Sequence, residues 1–101
     1  MEIIKSKDIN TLKVKLVGRL DTNTSVELEE SVKKDEDGVD RIELDLKDLD
    51  YISSAGLRLI LVMHKNMTAK RGKLVVLNPK DEVMEVFDMT GFSSFLNIEE
   101  A

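Results

Sequence analysis

The sequence predicts an α/β fold: a mixed sheet of four or five strands with helices packed on it, in the order β-β-α-β-α-β-α-β. Three observations carry this. Residues 11–18 (TLKVKLVG) and 41–46 (RIELDL) alternate apolar and charged side chains, the period-two pattern of a strand with one face in water. Residues 54–71 carry apolar side chains at helical spacing behind a pair of serines. Residues 73–78 (KLVVLN) hold four apolar residues in a row, which suits a central strand covered on both faces. Strands joined through helices run parallel, with right-handed crossovers.

The elements follow in order. Ile3 and Ile4 open a short strand that ends near Lys7, and Asp8 and Asn10 supply turn chemistry. In the next strand Leu12, Val14 and Leu16 face inward and Lys13 and Lys15 outward, and the two strands form a hairpin. Gly18-Arg19-Leu20-Asp21 ends it. Thr24 followed by Glu27 reads as a capping box that starts a helix near Ser25, with Val26, Leu28 and Val32 as its apolar stripe. A polar loop, 35–40, leads to the strand 41–46, after which Leu49 and Ile52 dip inward from a loop. The second helix spans 54–71 and stops at Gly72. Asn78 caps a third helix with Pro79 at its first position, and Val83, Val86 and Phe87 share a face. Thr90-Gly91 ends it, Phe92 and Phe95 tuck into the core, and 96–98 form an edge strand.

Composition narrows the function. The 101 residues suit a single domain, 1–101. Apolar residues at 42% are too many for a disordered chain. A net charge of −5 argues against nucleic acid and anionic membrane surfaces, which need a basic face. The longest apolar run, Leu59 to Met63, falls far short of a membrane span. Cysteine is absent, which removes disulfides and thiolate chemistry. A soluble, cytoplasmic protein without cofactor or metal is expected.

The residues offer little to an enzyme. Ser54 and the only histidine, His64, are ten positions apart, about 15 Å along one helix, too far for a nucleophile and its base. No nucleophile elbow or phosphate loop is present. Asp45, Asp48 and Asp50 cluster near the carboxyl edge of the sheet but match no calcium loop; a solvated acidic loop is the plainer reading. A small hydrolase built on Ser54 with Asp48 or Asp50 lacks base geometry. His64 reads as a hydrogen-bonded, half-buried residue on the apolar face with Leu57, Ile60, Leu61 and Met67. Leu59, Val62 and Met63 lie off that face, so the helix is either buried on nearly all sides or offers apolar surface to a partner. Ser53 and Ser54 fall where loop becomes helix, amid unpaired N–H groups and the positive end of the helix dipole. They can cap the helix, or one can carry a phosphate.

The stretch L-D-L-x-x-L-x-Y-I-S-S-A-G-L, from Leu44 to Leu57, resembles the signature of STAS domains, in particular the bacterial anti-sigma-factor antagonists. Gly18-Arg19-Leu20-Asp21, Gly72-Lys73-Leu74-Val75-Val76 and Val86-Phe87-Asp88-Met89-Thr90-Gly91 resemble three further family motifs in the right order. The resemblance implies a binding switch and not an enzyme. The unphosphorylated domain would bind an anti-sigma factor that is also a serine kinase and so release a sigma factor. Phosphorylation by that kinase would end the binding, and a PP2C-type phosphatase would restore it. The implied acceptor is Ser54, with Ser53 as the alternative, because Ser53 stands where the family often has Asp. The implied partner-contacting residues are Asp21, Thr22 and Asn23 after the second strand, with Ser53, Ser54 and Ala55 and then Gly56, Leu57 and Arg58 at the start of the second helix. The alternative within the family is a constitutive, non-phosphorylated STAS subunit of a signalling or lipid-transport assembly.

Overall fold

The structure, a computed structural model, describes residues 1–101. Strands β1 (Glu2–Asp8) and β2 (Thr11–Leu20) form the expected antiparallel hairpin. Helix α1 (Thr22–Asp35) then leads to β3 (Arg41–Ile52), α2 (Ser54–Ala69) to β4 (Lys73–Leu77), and α3 (Asp81–Thr90) with a short 3-10 turn, Phe92–Ser94, to β5 (Asn97–Glu99). The sheet order is β1-β2-β3-β4-β5, and β2 through β5 are parallel. Each crossover steps to the next neighbour in the same direction, so right-handed connections put all three helices on one face. Leu12, Val14 and Leu16, with Ile42, Leu44 and Leu46, point into a single core with Leu28, Val32, Ile60, Met67, Val83 and Phe87.

Several boundaries differ from the sequence reading. The strand from Arg41 does not stop at Leu46 but continues to Ile52. Its pairing with β2 shifts register twice, between Lys15 and Val17 and between Gly18 and Arg19. Each shift accommodates one extra β3 residue, so the inward positions become Leu46, Leu49 and Ile52, every third residue. Period two is lost although the strand is not. Gly18, at φ 113°, sits at the second shift and lets β2 run on to Leu20.

Helix α1 begins at Thr22, capped by Asp21, so the capping box is Asp21 with Thr24 and not Thr24 with Glu27. Its buried stripe is Ser25, Leu28 and Val32, while Val26 faces solvent. The third helix is not capped by Asn78; it starts at Asp81 behind Lys80. Asn78 is in the left-handed region, and its Oδ1 accepts from the Ala101 N–H. Phe92 packs against the core, but Phe95 is partly exposed. In β4, Leu74, Val75 and Val76 are all buried: helices cover the first and last, and Val75 lies on the other face between its ladder neighbours Glu43 and Asn97.

Helix α2 ends at Ala69, two residues early, because Arg71 takes the left-handed turn at φ 61°. Gly72 is needed for a different reason. A Cβ there would lie 2.6 Å from the carbonyl oxygen of Asp40 and 2.9 Å from the Met67 methyl. That carbonyl also accepts from Lys73 N–H at 2.9 Å, which docks β4 beside β3. Gly72→Ala is expected to lower stability by about 1–3 kcal/mol, the usual cost of overpacking, read as an earlier urea midpoint at unchanged slope.

Candidate functional site

Leu20 and Ile52 form the last paired register of β2 and β3, and both are buried. Immediately after them both chains enter helices, and the Ser53 N–H donates to the Leu20 carbonyl at 2.9 Å. The starts of α1 and α2 are therefore held side by side at the carboxyl edge of two parallel strands. Gly56 permits this approach: a Cβ there would meet Ile52 Cγ1 and Leu20 Cγ at 2.9 Å.

The two serines are not equivalent. Ser53 is the N-cap of α2, with extended backbone, and its Oγ accepts from the Gly56 N–H at 3.2 Å. That is the task an Asp performs at the same place. Ser54 is the first helical residue; it is exposed, and its hydroxyl makes no hydrogen bond within the chain. Asp21 caps α1. Its Oδ1 accepts from Thr24 N–H at 3.0 Å, while its own N–H donates to Thr24 Oγ1 at 2.8 Å. The Thr24 backbone N–H, foremost, holds the Asp21 carboxyl below its ordinary value of 3.8.

Of the residues singled out in sequence, Thr22, Asn23, Ser54 and Arg58 are exposed around this edge and Asp21, Ser53 and Ala55 are half-buried. Gly56 and Leu57 are buried; Leu57 turns into the core, so its side chain is not presented outward. Leu59 and Met63 are covered as well, and Val62 stays exposed. Sequence reasoning missed two features. Arg19 lies over the exposed Tyr51 ring, 4.1 Å from its centroid. A groove of about 250 Å³ runs between α1 and α2 beside Ser54, walled by Ala55, Arg58 and Val62 against Thr22, Ser25 and Val26. Val62, an apolar residue off its helix face, was the available signal for it; Val26 was read as part of the α1 stripe but is 53% exposed.

The acidic cluster divides among separate partners. Asp48 pairs with Lys15 at 3.1 Å, Asp50 with Lys80, and Asp45 accepts from Lys47 N–H. Asp50 raises the Lys80 ammonium above its ordinary value. His64 is half-buried as expected but not hydrogen-bonded: its ring packs on Phe95 at 5.2 Å between centroids, and Nδ1 has no partner.

The family model for the STAS domain matches residues 1–101. The chain belongs to the STAS domain family. This STAS domain is 31% identical over 88 residues to the anti-sigma-B factor antagonist of Staphylococcus aureus, covering 86% of this chain and 82% of that one, which puts it among the anti-sigma factor antagonists. It is 46% identical over 61 residues to a Bordetella bronchiseptica protein, BtrV, assigned as an anti-sigma factor antagonist. That match covers 60% of this chain and about half, 53%, of BtrV. Its fold is shared by the Bacillus anti-sigma factor antagonist SpoIIAA, solved unphosphorylated (TM-score 0.81, 19% identity, 99% of this chain and 89% of that one) and phosphorylated (TM-score 0.80, 20% identity, 99% and 91%). These relatives are named as antagonists of anti-sigma factors, a regulatory and not an enzymatic role.

Two outcomes follow from the caps. Ser53→Ala is expected to cost about 1 kcal/mol of stability and Ser54→Ala less than about 0.5 kcal/mol, compared by urea unfolding. The depressed Asp21 carboxyl contributes stability above 3.8 that is lost as pH falls through its lower folded value. Asp21→Asn keeps a cap without that titration. Wild type should therefore lose more stability than Asp21→Asn between neutral pH and roughly pH 3, measured by urea midpoints at both.

Proposed function

We propose that this STAS domain is a phosphorylation-controlled anti-sigma factor antagonist. With Ser54 unmodified it binds an anti-sigma factor that is also a serine kinase, across the edge formed by the starts of α1 and α2. Phosphorylation of Ser54 ends the binding, and a PP2C-type phosphatase restores it. The observation that carries this reading is the difference between the two serines: Ser53 Oγ is occupied as a cap, and Ser54 Oγ is free and exposed. Family membership supports the choice of partner class, through relatives named anti-sigma-B factor antagonists.

The physics favours a change in binding over a change in fold. A phosphoserine carries about −1.5 to −2 charges near neutral pH. At a helix N-terminus those charges meet backbone N–H groups and the positive end of the dipole, so the domain itself need not rearrange. A docked partner faces the opposite situation. One acidic group of the partner about 8 Å away is repelled by roughly 2 kcal/mol per charge pair at an effective dielectric of 20. Two charges cost about 4 kcal/mol, close to a thousandfold in affinity.

Binding of Ser54→Ala and Ser54→Asp to an anti-sigma factor kinase of the same cell, by isothermal titration, tests this. Ser54→Ala should bind as wild type does, and Ser54→Asp at least tenfold more weakly. Equal affinities would instead favour a constitutive STAS subunit. Mass spectrometry after incubation with kinase and ATP should find phosphate on Ser54 and none on Ser53.

A further inference from the structure

We propose that Arg58 is the phosphate-binding arm of this switch: exposed and uncommitted while Ser54 carries a hydroxyl, and closed onto the phosphate once Ser54 is modified. The proposal deepens the function above and rests on Ser54 as the modified residue. Three observations lead to it. First, Arg58 is exposed and takes part in none of the ion pairs, whereas Arg41 is held by Glu43 and Arg19 lies on Tyr51. Second, Arg58 follows Ser54 by four residues on α2. Residues so spaced share a face, and helical Cα–Cβ bonds tilt toward the N-terminus, so the Arg58 side chain leans over the turn that begins at Ser54. Anion first and cation four residues later is the favourable order. Third, Arg58 lines the groove together with Thr22, Ser25 and Ala55, the neighbour of Ser54, and Ser25 is buried, 7% exposed, with no hydrogen-bond partner for its Oγ.

The competing anion is Glu29, which lines the same groove but makes no ion pair with Arg58. A phosphate dianion offers a planar guanidinium two charge-assisted hydrogen bonds at short range. Modification would then change the docking edge twice over. It adds negative charge at Ser54, and it withdraws a cation that an acidic group of the partner would otherwise meet.

The test needs neither kinase nor partner. Phosphoserine is installed at position 54 by genetic encoding, and its phosphorus resonance is titrated with pH. The second phosphate pKa, about 6 when free, should be lower in the otherwise wild-type chain, and Arg58→Gln should raise it by about half a unit, roughly threefold in proton affinity. Arg19→Gln, which removes an equal charge from a residue already stacked on Tyr51, should leave it within about 0.1 unit. No change in Arg58→Gln, or equal changes in both variants, overturns the proposal. Failure of the functional reading would show separately, as equal binding of the Ser54→Ala and Ser54→Asp proteins.

Discussion

The close approach of two helix starts to the last residue pair of a parallel ladder is the constraint on which the rest depends. Leu20 and Ile52 are opposite one another, and the Ser53 N–H is tied to the Leu20 carbonyl. Gly56 lets the first turn of α2 rest on both side chains. Parallel strands deliver their carboxyl ends to the same edge, so the helices that follow begin at the same edge too. Two sets of unpaired N–H groups and two positive dipole ends thus converge without any special loop. Each is satisfied locally by a short polar side chain, Asp21 in one case and Ser53 in the other. Ser54, next to the cap, is left exposed with a hydroxyl that makes no hydrogen bond within the chain.

That arrangement separates the helix cap from the residue proposed for modification. The cap residue carries the helix energetics, and its neighbour is free to be modified. A helix N-terminus accepts negative charge, so under the proposed switch a domain phosphorylated at Ser54 would keep its fold while gaining negative charge on its outer surface. The surrounding carboxylates are mostly committed, Asp21 to Thr24, Asp48 to Lys15 and Asp50 to Lys80. In a chain of net charge −5, the presence of exposed Arg19 and Arg58 around this edge gives it a local character unlike the average.

Much of the fold was legible in sequence because its signals are local. Alternation in 11–18 and 41–46 follows from one buried sheet face, and the apolar run 73–78 follows from a strand buried on both. The misses have a common origin. The continuation of β3 past Leu46 was hidden because two register shifts against β2 change the inward period from two to three. The start of α1 was placed three residues late because Thr24 with Glu27 mimics a capping box, while the operative cap, Asp21, lies at the end of a strand whose length the bulge at Gly18 decides. Asn78-Pro79 resembled a helix start for equally local reasons, but Asn78 is held in a left-handed turn whose side chain meets the chain terminus.

The amino-acid sequence alone determined the α/β class, the order of elements, the position of the serine pair at the start of a helix and the resemblance to STAS domains, because periodicity, caps and motifs are properties of neighbouring residues. Only the tertiary structure decided that Leu59 and Met63, off the expected face of α2, are buried as well, that the Ser54 hydroxyl is left without a partner in the chain, and that Arg58 shares a groove with the α1 residues Thr22 and Ser25. These depend on how far β3 runs alongside β2 and how closely Gly56 lets α2 settle on their ends, and distances between residues thirty positions apart leave no periodic trace in either segment.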